Sequence, residues 1–240
     1  NFALKSQNPA TNTDMYNVAI GHNVGGDITT GIQNTLIGGL AGDALTDADF
    51  NVAVGHEALS GDTLGSRSTA LGRAALRAQN FTTATDAYNI AVGFNAGLSV
   101  TTGTKNIFVG GLTGDANTTG FNNVAMGYDA LGTNTASGAH VAIGYEALKT
   151  LNSTTNTSQF NTAVGTQAGK SVTTGVENTL LGGEAGDALT DADANVAVGK
   201  GALGSDTLGS QSTALGTGAL SSQNFTTATN SLNTAVGYVA

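Results

Sequence analysis

Few residues of this chain are equipped for chemistry. Three histidines, His22, His56 and His140, can ligate a metal or carry a proton. Asp43, Asp47 and Asp49 cluster in one segment, and Asp187, Asp191 and Asp193 repeat the cluster. Closely spaced carboxylates suit Ca²⁺, or paired acid and base work on a glycosidic bond. Their spacing is not that of an EF-hand loop, and the matching stretch TGDANTTGF at 113–121 lacks the set, so calcium binding stays open and the expected role is a solvated acidic edge. Phe94, Tyr128, Tyr145 and Tyr238 offer rings that can stack on sugars or pack against neighbours. Serines are plentiful, but no Gly-x-Ser-x-Gly elbow occurs. GGLAGD and GGEAGD lack the Gly-Lys-Ser/Thr of a phosphate loop. Asn80 and Asn224 head Asn-x-Thr sequons, which matter only in a glycosylating compartment. No residue is therefore assigned as catalytic, cofactor-binding or metal-ligating, and no enzyme activity is expected.

The elements that carry these side chains follow from an unusual composition. Of 240 residues, 35 are Gly, only 10% are charged and 5% aromatic, with one Pro and neither Cys nor Trp. So little charge argues against amphipathic helices, which need charged outer faces. Glycine without a three-residue period excludes collagen. A net charge of −9 argues against nucleic acid as the partner. Without Cys there are neither disulfides nor thiolate zinc sites. No apolar run reaches the ~18 residues of a spanning helix, so membrane insertion is not expected.

An internal repeat dominates the chain. A motif Asn-x-Ala-(Val/Ile/Leu)-Gly begins at residues 17, 34, 51, 68, 89, 106, 123, 140, 161, 178, 195, 212 and 233. The spacing is 17, 17, 17 and 21 residues, three times over, which makes a 72-residue super-repeat. The super-repeats are 17–88, 89–160 and 161–232, and a further one starts at 233–240. Residues 1–16 read as the tail of a partial first coil, and further segments are expected at both ends.

Down the aligned units, position 5 is Gly in all thirteen, from Gly21 to Gly237. Position 4 is always apolar, and position 3 is Ala except at Leu36, Phe108 and Leu180. Neighbouring strand residues face opposite sides, so this strand is apolar on both faces. One face closes the coil and the other needs a partner. The Val/Ile/Leu and Ala columns are expected inside the assembly, with the Ala face turned to partner chains and Val92→Asp opening the stack. Position 13 is Thr in every 17-residue unit, from Thr29 to Thr207. An internal Thr ladder is expected there, while the mixed neighbouring position disfavours an ice-binding surface. Position 1 is mostly Asn, which either bonds up the stack or tolerates the corner's geometry, or both. Seventeen residues are too few for a helical-pair repeat, which needs about 34, but suffice for one β-solenoid coil with two short strands. Extra residues in each 21-residue unit should bulge from one edge. His22 and His56 share a column two coils apart, roughly 10 Å, too far to ligate one metal together.

NVAIG, NVAVG, STALG and NTAVG in tandem resemble the head repeats of trimeric autotransporter adhesins. NVAMGYDAL at 123–131, HVAIGYEAL at 140–148 and NTAVGYVA at 233–240 resemble phage tail-fibre shafts more closely. The resemblance covers nearly the whole chain, although the 17- and 21-residue coils are longer than those of autotransporter heads. It implies a left-handed parallel β-roll assembled as a homotrimer. The expected function is structural: a virion fibre shaft that presents a receptor-binding tip outside this chain. The alternative it implies is an adhesin on a bacterial cell surface.

Overall fold

The computed structural model describes residues 2–9 and 12–240. Residues 1, 10 and 11 of the expected 1–16 tail lie outside the described residues. The protein is an all-β, helix-free parallel β-solenoid, with one three-residue strand for each of the thirteen motifs among the described residues. It divides into two compact units, Asn1–Phe121 and Asn122–Ala240, so the division falls inside a super-repeat. In the first unit, strands Val18–Ile20, Thr35–Ile37, Val52–Val54, Thr69–Leu71, Ile90–Val92 and Ile107–Val109 pair parallel in chain order. Residues 2–9 lie against the coil at 17–33, where Leu4 N–H donates to Val24 O and Asn8 N–H to Thr29 O. In the second unit the order is Val124–Met126, Val141–Ile143, Thr162–Val164, Thr179–Leu181, Val196–Val198, Thr213–Leu215 and Thr234–Val236. Equal motif positions pair throughout: Ala53 with Ala70, Leu180 with Ala197.

The corners explain why strands stop after three residues. The position-5 glycines hold φ between 125° and 142°, conformations closed to side chains. A Cβ on Gly38 would also meet Gly55 O at 2.6 Å. The residue before each motif is left-handed in all thirteen units, from Tyr16 to Leu232, so the strand is bracketed by bends. Two strands per coil were expected. Among the described residues a second short pairing occurs only beside the long coils, joining Gly65–Ser66 to Thr85–Asp86 and Gly209–Ser210 to Thr229–Asn230. The middle super-repeat has only a single bridge, Gly138 to Ser158. As expected, the extra residues bulge: 82–84, 154–157 and 226–228 are exposed.

The two strand faces are the reverse of the expectation. The Ala column at position 3 is fully buried within the coil from Leu36 to Ala214. Positions 2 and 4 point outward and are half-buried or exposed. Val92 is half-buried on the outer face, so it is not a residue of the coil interior. The interior is narrow, and side chains from positions 8, 9 and 12 already fill it.

That interior conserves volume by exchange. Where position 3 is Ala, position 9 is commonly a buried Leu, as at Leu59, Leu131 and Leu203. Where position 3 is Leu36, Phe108 or Leu180, position 9 is Gly in the same coil and in the preceding one. A Cβ on Gly114 would meet Phe108 Cε1 at 2.5 Å, and one on Gly97 would meet Phe108 Cδ2 at 3.0 Å. The position-9 leucines are left-handed, which costs roughly 1–2 kcal/mol each, and full burial of the side chain contributes about 1.5–3 kcal/mol in return.

Phe108→Ala should lower stability by about 3–5 kcal/mol in chemical denaturation. Adding Gly114→Leu should recover part of that loss by restoring the Ala/Leu pattern. A double variant no more stable than F108A would refute the exchange.

Candidate functional site

The most extensive constellation is the first-position amide ladder. Asn34, Asn51, Asn89, Asn106, Asn123, Asn161, Asn178 and Asn195 are fully buried. Each donates through Nδ2 to the carbonyl fourteen residues on: Asn34 to Ala48 at 2.8 Å, Asn178 to Ala192 at 2.7 Å. The Oδ1 of Asn34, Asn51, Asn89, Asn123, Asn161, Asn178 and Asn195 accepts the N–H of the next first-position residue, as Asn51 N–H to Asn34 at 3.0 Å and Asn195 N–H to Asn178 at 3.0 Å. Direct amide–amide contact is secondary, at 3.2 Å between Asn178 and Asn161. The positive φ belongs to the preceding residue, so corner tolerance does not explain Asn at position 1.

The long coils replace this amide at Ser68, His140 and Ser212. Around Ser68 a buried network takes over. Gln79 Nε2 donates to Asp62 Oδ2 at 2.5 Å and to Ser68 Oγ at 3.0 Å, and Gln79 Oε1 accepts from Asn89 at 2.9 Å. Asp62 Oδ1 accepts the N–H groups of Gly65 and Phe81. Asp206, Gln223 and Ser212 repeat the set. Sequence reasoning missed this network; Gln at position 12 of a long coil, one coil after an Asp at the same position, was its available signal.

The Thr column bonds from coil to coil as expected, with Thr46 Oγ1 donating to Thr63 O at 3.1 Å and Thr101 to Thr118 O at 3.1 Å. It runs along the surface and not through the interior, since Thr29 and Thr173 are exposed. The acidic segments serve the same register. Asp49 Oδ1 accepts Ile32 N–H at 2.8 Å, and Asp193 accepts Val176 N–H at 2.8 Å. Asp47 accepts from Thr30 at 2.5 Å, and Asp191 accepts from Thr174. Partial burial pushes the Asp43 and Asp187 carboxyls up from the ordinary value. Among the described residues no three His, Cys, Asp or Glu side chains are grouped to hold a metal ion.

The histidines are not brought together. His22 and His56 are exposed, and His56 Nδ1 lies 3.9 Å from Glu57. His140 is fully buried, its Nε2 2.9 Å from Ser137 Oγ. A second feature missed from sequence is an ion-pair ladder over successive coils. Lys149 Nζ lies 2.8 Å from both Asp129 and Glu146, and Lys170 Nζ lies 2.9 Å from Glu146. Hydrogen bonds from Lys149, Gln167 and Lys170 lower the Glu146 carboxyl to about 2. Its stabilising contribution is therefore in place above the usual carboxylate pKa and is lost as pH falls toward 2. Asp129 and Lys149 are 20 residues apart and Glu146 and Lys170 are 24, so only the column register reveals these coil-to-coil pairs.

The outward face is built from positions 17, 2, 4 and 6. Val18, Ile20, Val52, Leu71, Ile90, Met126, Leu215 and Val236 are exposed on it. Phe94, Tyr128, Tyr145 and Tyr238 line one margin, also exposed. The Tyr128 and Tyr145 rings stack on each other, with centroids 6.0 Å apart. Arg73 sits over Phe94 at 5.5 Å, and at the other margin Arg67 sits over Phe50 at 4.7 Å. Comparison with protein-family models, curated proteins and solved structures finds no match.

Asn178→Ala should destabilise the chain by about 2–3 kcal/mol, because it strips partners from the buried Ala192 carbonyl and Asn195 N–H. The peripheral Thr29→Ala should cost under ~1 kcal/mol. Equal losses in urea denaturation would contradict the ladder's primacy.

Proposed function

We propose that this chain is a structural fibre-shaft segment of a phage or virus, assembled as a homotrimer through its outward strand face. The observation that carries the reading is the chemistry of that face. Positions 2 and 4 bear no charged residue in any of the thirteen coils, in a chain with 25 charged side chains elsewhere. Uncharged apolar surface repeated in every coil is expensive to leave in water and marks an association surface. The motif resemblance adds the trimer and the fibre; the role is mechanical, with the receptor-binding tip elsewhere. Coil-to-coil hydrogen bonds within each of the two units supply the stiffness such a shaft needs.

Two substitutions on one strand separate the faces. Val92→Asp should keep the β-sheet circular-dichroism signal and abolish the oligomer in light scattering. Ala91→Asp should destroy the fold itself, by placing a charge inside the coil. An oligomer unchanged by V92D would overturn the association surface. Density-gradient fractionation of the native source, followed by mass spectrometry of peptides from 42–66 and 106–128, tests the fibre. Migration with capsid proteins and packaged nucleic acid supports it. Migration with outer-membrane material would replace it with a surface adhesin.

A further inference from the structure

The three long coils are not equivalent. At 68–88 and 212–232 the corner holds the Asp–Gln–Ser network described above. In the middle super-repeat the same places hold Asn134, Leu151 and His140, and Ser137 replaces Gly65. Leu151 has no amide to offer, so the corner is closed by the ring of His140. That ring is fully buried. One nitrogen meets Ser137 Oγ at 2.9 Å, and the other, Nδ1, has no hydrogen-bond partner. Ser137 is itself held by Asn134, to which its hydroxyl donates at 2.7 Å. On the preceding coil Asn123 accepts the His140 N–H, and on the following coil Asn161 O accepts the Val141 N–H. These neighbours are all uncharged, and burial alone perturbs the ring, with no ionisable group facing it. The same coil is closed by the single Gly138–Ser158 bridge, where its counterparts have two-residue strand pairs, and its loop at 154–157 is exposed.

We propose that His140 makes the 140–160 coil a proton-operated joint, which opens when the ring is protonated while the coils at 89–105 and 195–211 stay closed. A solvent proton adds to the unpartnered ring nitrogen and no bond within the ring breaks. The product is an imidazolium whose second N–H has no acceptor and whose charge has no counter-ion. Such a group is stable only when the coil opens and water reaches it. Burial lowers the His140 pKa to about 4 from its ordinary 6.5. For a base with a depressed pKa, stability is complete above pH 6.5 and is lost as pH falls from 6.5 toward 4. The weak bridge and exposed loop localise the opening.

Hydrogen exchange of the full chain at pH 7 and pH 4, read by mass spectrometry, tests this against His140→Asn, which restores the ladder residue, and His140→Ser, which copies the other long coils. After correction for intrinsic exchange rates, peptides covering 134–161 should lose protection on the order of tenfold to a hundredfold at pH 4 in the parent chain. Both variants should lose little there, and peptides from 89–105 and 195–211 should be unaffected in all three. Equal loss in parent and variants, or no loss in the parent, would overturn the joint. Should the variants fold poorly at pH 7, the NMR titration of the parent decides. A His140 midpoint well below the ordinary 6.5 supports the proposal, and a midpoint at or above 6.5 refutes it.

Discussion

The structure depends on one constraint: a coil must sit in register on its neighbour, or buried polar backbone at the corner goes unpaired. The first-position asparagine meets that constraint with a single side chain. Its amide nitrogen satisfies a carbonyl fourteen residues on, and its oxygen satisfies the N–H of the next motif. A slip by one residue would leave both groups orphaned in the interior, at about 1–3 kcal/mol each. Strand pairing alone specifies register weakly here, because each strand is only three residues long. The amide ladder therefore does for this solenoid what long strands do for an ordinary sheet.

Register in turn makes the rest of the coil possible. Left-handed residues at positions 7, 9 and 17 are costly for side chains such as Leu59, Arg67 and Glu146. They persist because each is locked by backbone bonds to the adjacent coil, as Leu59 N–H to Ala75 O at 3.0 Å and Arg67 N–H to Asp49 O at 3.0 Å. An isolated coil would have the strain without the bonds. The exchange between positions 3 and 9 follows from the same geometry. The enclosed space is set by backbone that cannot move, so Phe108 is accommodated by removing side chains at Gly97 and Gly114.

Much of the coil was legible in the sequence because a column of identical residues reports its own environment. The Gly corner, the strand at positions 2–4, the bulging insertions and the coil-to-coil Thr bonds could all be read from the columns. What failed was the sidedness of the strand. Ala and Val are both apolar, and composition does not say which one a narrow tube admits. Only the space left by Leu59 or Leu76 shows that a wall residue larger than Ala needs glycine opposite. The Asp62–Gln79–Ser68 network and the Glu146–Lys149 ladder were missed for a different reason. Each joins residues from different columns, and the repeat displays columns one at a time.

The division of labour between the faces bears on where function can reside. Inside, every substitution must be answered by another, as Gly65, Phe81, Asp62 and Gln79 are replaced together by Ser137, Ser153, Asn134 and Leu151 in the middle super-repeat. Outside, positions 6 and 17 change freely from coil to coil, and all three arginines of the chain, Arg67, Arg73 and Arg77, fall in the first super-repeat. Positions 2 and 4 obey neither rule. They point outward, yet they never take a charge, so something other than the coil's own packing restricts them. In the assembly proposed above, the contacts of this surface would lie in another molecule whose own surface repeats with the coil period. A second copy of this chain has that period by construction.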